Sequence, residues 1–226
     1  SLTELVDKAS SRNPSIRFRL SSIEPQEINT GLLSLIKQGR LCPHLHIPLQ
    51  SGSDRILKAM NRGYSKSFFK NLIQDVSLNC PGIAIGTDVI AGFPGETEED
   101  FQKTVMLLED LPLSYIHVFP YSKRPNTKAS QMPNQLTENI KRKRAGIIRE
   151  LSKKKKYHYI TRHLGQIMDV IIEGNISNNG LYKGISQNYL KVLLKGMGLS
   201  PGRLFKAKAL EVRGEELFCE VVRKPV

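Results

Sequence analysis

The spacing of apolar residues changes near residue 164, and this change predicts two different folds in one chain. Residues 1–136 alternate short apolar strands with amphipathic helices, an order that produces parallel strands joined by right-handed crossovers. After Gln166 apolar and polar residues alternate one by one, and glycines separate the runs, as in a small antiparallel barrel. Residues 137–163, with Thr137 as the cap, predict a basic helical connector between the two.

The first region contains too few strands to form a closed barrel. Strands are predicted at residues 16–22, 44–50, 83–91 and 115–121. The helix predicted at residues 2–9 has no strand before it, and four strand–helix units do not complete a (β/α) barrel. We therefore predict an α/β fold, in which a partial parallel TIM-like barrel lacks its first strands. A small antiparallel β-barrel of the oligonucleotide-binding kind follows at residues 164–226.

Candidate ligand-binding residues follow the predicted strands, at the end where parallel α/β folds place their sites. Gln50 can donate to and accept from a ribose diol, and Ser51 begins a tight turn into a helix N-terminus that favours anions. Asp88 interrupts an apolar strand, so its carboxylate needs either a ribose or an internal hydrogen-bond donor. Arg62 can clamp a carboxylate, and Gly92 can let the backbone approach a flat ligand. Each residue also has a purely structural interpretation, as a satisfied turn, an internal hydrogen bond or a surface side chain.

Histidines and cysteines are interpreted as structural. His44 and His46 share one face of a strand, but no third ligand is evident in the sequence, so no metal site is predicted. Cys42, Cys80 and Cys219 are far apart and have no Cys-x-x-Cys spacing. No nucleophile–base pair or pair of carboxylates stands out, so no catalytic residue is predicted.

A formal net charge of +13 favours a polyanionic partner. The residues predicted to bind RNA are Lys153, Lys154, Lys155, Lys156, Lys183, Tyr189 and Lys191. The alternative is an ordinary solvated helix face. No apolar run reaches the roughly 18 residues of a membrane helix, and no secretory signal is evident. A cytoplasmic location without membrane contact is expected, and the oligomeric state is not indicated.

Motifs in residues 16–130 are similar, in order and spacing, to those of the radical SAM methylthiotransferases. They are Ser21-Ser22-Ile23-Glu24-Pro25, the segments 46–53, 60–64 and 86–101, and Phe119-Pro120-Tyr121-Ser122. The C-terminal region resembles the family's TRAM domain, an RNA-binding β-barrel. The resemblance implies binding of S-adenosylmethionine and a [4Fe-4S] cluster, and radical activation of a C–H bond for methylthiolation. It assigns ribose contacts to Gln50 and Asp88 and a methionine-carboxylate contact to Arg62, and it adds Tyr121 to the candidate cofactor-binding residues.

The resemblance also suggests a branch of the family. The segments 21–25 and 117–122 resemble the branch that acts on N6-threonylcarbamoyladenosine beside the tRNA anticodon. The family's Cys-x-x-x-Cys-x-x-Cys loop and its N-terminal domain with a second cluster lie upstream of the matching motifs, and this sequence contains neither. We therefore expect the C-terminal portion of an enzyme, inactive alone. The alternatives are a noncatalytic tRNA-binding protein, or a methylthiotransferase for another tRNA adenosine or a ribosomal protein.

Overall fold

A three-stranded parallel sheet with the order β1-β2-β3 forms the centre of the first region. The computed structural model describes residues 1–174, 180–196 and 198–223. The elements of the first region are α1 (Leu2–Arg12), a 3-10 helix (Pro25–Glu27), α2 (Thr30–Lys37), β1 (His44–His46), α3 (Asp54–Ala59), α4 (Lys66–Asn79), β2 (Ala84–Ala91), α5 (Glu98–Asp110), β3 (Tyr115–Pro120) and α6 (Lys128–Gln131). Leu45, Ile47 and Leu49 are fully buried in the apolar core. The opposite face of β1 carries its histidines.

The crossover helices begin at capping residues that the sequence itself predicts, because Thr97-Glu98-Glu99-Asp100 resembles a capping box and Ser65 precedes a run of apolar residues at helical spacing. Thr97 accepts a hydrogen bond from the Asp100 backbone and Asp100 bonds back to Thr97, which completes the predicted capping box of α5. Ser65 caps α4 in the same way, by accepting from the backbone of Phe68. The local signals therefore fix where these crossover helices begin.

The strand predicted at residues 16–22 does not form as a regular strand. Ser22 makes an isolated bridge to His46, and the Phe18 carbonyl accepts from the backbone of Cys42 at 2.8 Å. The segment therefore runs beside β1 without a continuous ladder. Arg17 lies within this segment, and its guanidinium is 2.8 Å from the carboxylate of Asp169 in the second region. Residues 16–22 thus contact the second region as well as β1.

Helix α7 (Glu138–Thr161) is the predicted connector, and it packs along β3. Ser152 donates to the Ile116 carbonyl at 2.8 Å and accepts from the Ile116 backbone N–H at 2.9 Å. These two bonds satisfy one backbone position of β3 on the side where no strand of the described residues pairs with it. None of the described helices is long and apolar enough to cross a membrane.

The second region is a closed five-stranded barrel with the order β4-β5-β6-β8-β7. Its strands are β4 (Ile167–Ile172), β5 (Tyr182–Ser186), β6 (Lys191–Lys195), β7 (Leu204–Arg213) and β8 (Glu216–Arg223). The predicted small barrel is confirmed. Four of the five strand pairings are antiparallel, and β6 pairs with β8 in parallel, which alternation along one strand cannot reveal. Strand β5 has no predicted counterpart because Gly184 breaks its apolar pattern, and a Cβ there would lie 2.6 Å from the Ile171 carbonyl oxygen.

Candidate functional site

Gln50 and Asp88 lie side by side where β1 and β2 approach their carboxyl ends. The Gln50 backbone N–H donates to the Asp88 carbonyl at 2.8 Å, and the Ile90 N–H donates to the Gln50 carbonyl at 3.0 Å. Gln50 has a φ of 67°, in the left-handed region that residues with a Cβ rarely adopt. Strained backbone of this kind persists where the surrounding structure imposes it, and it is common at ligand sites. The backbone hydrogen bonds therefore hold these two candidate residues side by side.

Asp88 obtains its hydrogen-bond partners from two neighbouring strands. One carboxylate oxygen lies 2.9 Å from Nε2 of His46 and 3.5 Å from Nδ1 of His117. Burial acts to raise the pKa of Asp88, but the hydrogen bonds and electrostatic interactions with His46 and His117 outweigh it, so the pKa is lowered. The carboxylate is thus ionised at neutral pH and a quarter exposed, which leaves it able to accept a further donor.

Tyr115 extends this polar network to His44. Its hydroxyl lies 2.8 Å from Nε2 of His44 and 3.2 Å from Nδ1 of His46. The ring reaches this position because Gly86 has no side chain, and a Cβ at Gly86 would lie 2.1 Å from the Tyr115 ring. Burial, with the charge of Arg19 as a smaller cause, lowers the pKa of His44 to about 4, so this imidazole is neutral.

The sequence prediction missed His117 and Tyr115. It took His44 and His46 for packed histidines without a third partner. In the structure Asp88 is paired with His117 across β2 and β3, and Gly86 is paired with Tyr115. Two-residue spacing on β3 places Tyr115 and His117 on one face, but only the strand register brings that face against Asp88.

Arg62 is bound to a carboxylate of the chain itself. Its guanidinium nitrogen lies 3.1 Å and 3.4 Å from the two carboxylate oxygens of Glu24. The guanidinium can thus bind a carboxylate, and its contact with a ligand carboxylate stays a prediction. A bound methionine carboxylate therefore has to share Arg62 with Glu24 or displace it.

Three of the predicted cofactor-binding residues contact other parts of the chain: Ser51, Gly92 and Tyr121. Ser51 is buried, and its hydroxyl bonds Thr104 and the Ser53 backbone. A Cβ at Gly92 would lie 2.6 Å from the Lys141 side chain, so the chain itself approaches this glycine closely. Tyr121 is buried in an apolar cluster, and its hydroxyl has no hydrogen-bond partner among the described residues. Their role in cofactor binding stays a prediction, while their visible role is packing.

The donor set of the strand ends fits S-adenosylmethionine, but the cysteines do not fit an iron–sulfur cluster. Gln50 and Asp88 offer the hydrogen-bonding groups for a ribose, and Arg62 offers those for a carboxylate. Cys80 and Cys219 are buried in different hydrophobic clusters, and Cys42 is half-buried. Burial raises the pKa of each thiol, that of Cys219 to about 12. Such thiols lack the thiolate character that metal ligation needs.

Of the seven predicted RNA-binding residues, Lys154 and Lys183 are exposed, and the other five divide into two groups. A cavity of about 370 Å³ lies between the two regions. Its lining includes Lys153, Lys156, Tyr189 and Lys191. Lys155 is different, because its ammonium donates to the carbonyls of Glu109 and Leu111 at 3.0 Å and 2.7 Å. Burial lowers the pKa of Lys155. Its observed contact is the end of α5, and this leaves little of it for phosphate.

Tyr189 links the two regions. The Arg19 guanidinium lies 3.9 Å from the centre of its ring, and the His44 ring lies 4.6 Å away. Arg19 and His44 already contact the Tyr189 ring, so a base that stacks on this ring has to lie next to them. The amino groups of Lys153 and Lys156 pair with Glu150 at 2.8 Å and Glu215 at 2.5 Å. These exposed pairs are weak, so phosphate can replace the carboxylates.

Comparison with known proteins finds one matching family model and several relatives. Residues 2–108 match the model of the radical SAM superfamily. The chain is 41% identical over 180 residues to the threonylcarbamoyladenosine tRNA methylthiotransferase MtaB of Aquifex aeolicus, covering 79% of this chain and 42% of that protein. It is 34% identical over 224 residues to the tRNA-2-methylthio-N(6)-dimethylallyladenosine synthase of Caldicellulosiruptor saccharolyticus, covering 97% of this chain and 47% of that protein.

A solved structure supports the fold. Coproporphyrinogen III oxidase from Escherichia coli, a radical SAM enzyme, aligns with a TM-score of 0.54 at 17% identity, covering 68% of this chain and 36% of that one. The chain spans about half the length of the curated relatives it matches. The resemblance drawn from the strand-end motifs is confirmed, and the chain is identified as a relative of the radical SAM tRNA methylthiotransferases.

Proposed function

We propose that this chain is the C-terminal part of a tRNA methylthiotransferase that adds a methylthio group to N6-threonylcarbamoyladenosine beside the anticodon. The observation that carries the proposal is the set of binding groups at the strand ends, Gln50 and Asp88 adjacent and Arg62 already arranged for a carboxylate. Four relatives named as MtaB, 36–41% identical to this chain, support the choice of nucleoside.

The chain's own residues bind and orient the cofactor. Gln50 and the ionised Asp88 bond the ribose hydroxyls, and Arg62 bonds the methionine carboxylate. S-adenosylmethionine, with a reduced [4Fe-4S] cluster, supplies the radical chemistry, and the cluster's ligands belong to the part of the enzyme that precedes these motifs. The isolated chain is accordingly inactive.

In this proposal, the cavity between the two regions faces the tRNA. Lys153, Lys156 and Lys191 line it, and the net charge of +13 attracts the phosphate backbone. Contacts from both regions to one tRNA hold the anticodon arm relative to the cofactor site. The second barrel then acts as the TRAM domain, and the protein works in the cytoplasm.

The test is expression of the complete protein in a bacterial strain that lacks methylthiotransferases, followed by mass spectrometry of its tRNA nucleosides. We expect 2-methylthio-N6-threonylcarbamoyladenosine from the wild type. The variant Gln50→Ala should give much less, whereas Gln74→Ala, an exposed glutamine on α4, should match the wild type. Absence of any methylthiolated nucleoside from a well-folded wild type would overturn the proposal and favour a noncatalytic tRNA-binding protein or a ribosomal-protein modifier.

A second candidate nucleoside is N6-dimethylallyladenosine. It is supported by the 34% identity to the synthase of Caldicellulosiruptor saccharolyticus over 97% of this chain. Both nucleosides are N6-substituted adenosines, so the same cofactor site serves either reaction. The methylthio product found in the same mass spectrum decides between them.

A further inference from the structure

The interior face of the parallel sheet carries a group of polar side chains, and the cofactor proposal uses only one of them, Asp88. His46 on β1, Asp88 on β2 and His117 on β3 come from three adjacent strands, and one ligand atom from each lies within 4.8 Å of the other two. This is the arrangement of two imidazoles and one carboxylate that binds first-row transition ions with open positions for other ligands.

The distances suit a metal ion. Ligands 2.0–2.1 Å from a tetrahedral ion are about 3.3 Å from one another. The Asp88 oxygen lies 2.9 Å from His46 and 3.5 Å from His117, on either side of that value. The two imidazole ring centres are 5.3 Å apart. The side chain of His117 is 57% exposed, so it can rotate to close the remaining gap.

A second layer of contacts orients His46. When Nε2 of His46 faces the ion, its Nδ1–H can donate to the Tyr115 hydroxyl, 3.2 Å away. The hydroxyl in turn can donate to Nε2 of His44 at 2.8 Å. Ligating histidines commonly bond a partner through their second nitrogen, which fixes the tautomer and the ring plane. Gly86 gives Tyr115 the room for this role.

We propose that His46, Asp88 and His117 form a binding site for a divalent transition ion that prefers imidazole, such as Zn²⁺, Co²⁺ or Fe²⁺. This site is separate from the iron–sulfur cluster, because it uses no thiolate. Asp88 is also the proposed ribose contact, so the ion and S-adenosylmethionine compete for one carboxylate. The inference does not depend on the proposed function, because metal binding is measured without cofactor or tRNA.

The experiment is titration of the metal-free 226-residue chain with Co²⁺, followed by its ligand-field absorption in the visible region. We expect one saturable equivalent, and we expect Zn²⁺ to displace it. His117→Ala and Asp88→Asn should each weaken Co²⁺ binding by about 100-fold or more, because each removes a direct ligand. Tyr115→Phe should weaken it by about 10-fold, as loss of a partner behind a ligand does.

His158→Ala is the matched control, since His158 is exposed on α7 and lies outside the group; this variant should bind like the wild type. Circular dichroism checks that each variant is folded, and His117→Gln replaces His117→Ala if the latter does not fold. Two results would overturn the site: no saturable Co²⁺ binding by the wild type, or equal binding by the wild type, His117→Ala and Asp88→Asn.

Discussion

The open face of the first region's sheet and the interior of the second region's barrel are lined in opposite ways. The interior of the second barrel is apolar, and Val170, Leu194, Ala207 and Leu217 are all 0% exposed there. The open face of the first sheet instead carries hydrogen-bonded polar groups: His44, His46, Asp88, Tyr115 and His117.

This difference separates their roles. A small barrel packed with side chains has no room for a ligand inside, so its function lies on its outer surface and loops. A sheet that buries polar groups next to one another pays a desolvation cost that apolar residues would avoid. Such a cost is typical of a surface that binds a ligand. The contrast is the one that the proposed function requires, in which the first region binds a small molecule and the second contacts a macromolecule.

The largest expected effect on stability comes from removing a large side chain from the packed interior of the second barrel. Phe205 is 2% exposed inside it, and Phe205→Ala should lower the free energy of unfolding by about 3–5 kcal/mol. Phe119→Ala is the matched control in the first region, because Phe119 is 53% exposed on β3; it should cost about 0.5 kcal/mol or less. Urea denaturation followed by circular dichroism measures both. Equal losses would mean that the second barrel is not the tightly packed region.

A smaller effect concerns His163, the buried polar group at the base of the second barrel. Its Nδ1 bonds the Tyr159 carbonyl at 2.7 Å, and its Nε2 accepts from the Asn188 amide at 2.8 Å. Burial lowers the pKa of His163 in the folded state. The unfolded chain therefore binds the proton more readily, and stability should fall as the pH drops below about 6.5.

Replacing this histidine isolates its contribution. His163→Gln should remove that part of the pH dependence. Relative to it, the wild type should lose stability on acidification to pH 5, by no more than about 2 kcal/mol, because one histidine with a lowered pKa contributes at most about 1.4 kcal/mol per pH unit below about 6.5. His158→Gln, at an exposed position on α7 just before His163, should behave as the wild type. Denaturation midpoints at pH 7.5 and pH 5 decide the matter; parallel curves for the wild type and His163→Gln would exclude His163 as the cause.

The sequence predicts the second barrel and the helix starts better than it predicts the polar face. Alternation and capping are local, so the interior of β4 and the cap Thr97 could be placed without the structure. The partners of Asp88 could not, because they depend on the register of β1, β2 and β3. Lys155 shows the same limit: within a lysine run, only the fold distinguishes an ammonium bound to carbonyls from one that faces solvent.

A third prediction separates strain from ligand binding at Gln50. Gln50→Asn keeps an amide but shortens it, and asparagine tolerates a φ of 67° better than glutamine does. Stability should therefore be unchanged or slightly raised, while affinity for S-adenosylmethionine should fall about 10-fold, the value of one hydrogen bond to a polar ligand. Titration calorimetry measures the affinity, with Gln74→Asn on α4 as the control. Unchanged affinity for Gln50→Asn would remove Gln50 from the cofactor site.

The smallest expected effect tests the outer surface of the second region and its connector. Affinity for tRNA should fall as salt rises, and each phosphate contact contributes about 0.7–0.9 to the slope of log K against log salt. Lys153→Ala with Lys154→Ala should reduce that slope by about 1–2. Lys155→Ala should leave the slope unchanged and lower stability by about 1 kcal/mol, because its ammonium bonds the carbonyls at the end of α5. If Lys155→Ala changed the slope as much as its neighbours did, the run would act as one basic face, and the division between binding and packing lysines would be wrong.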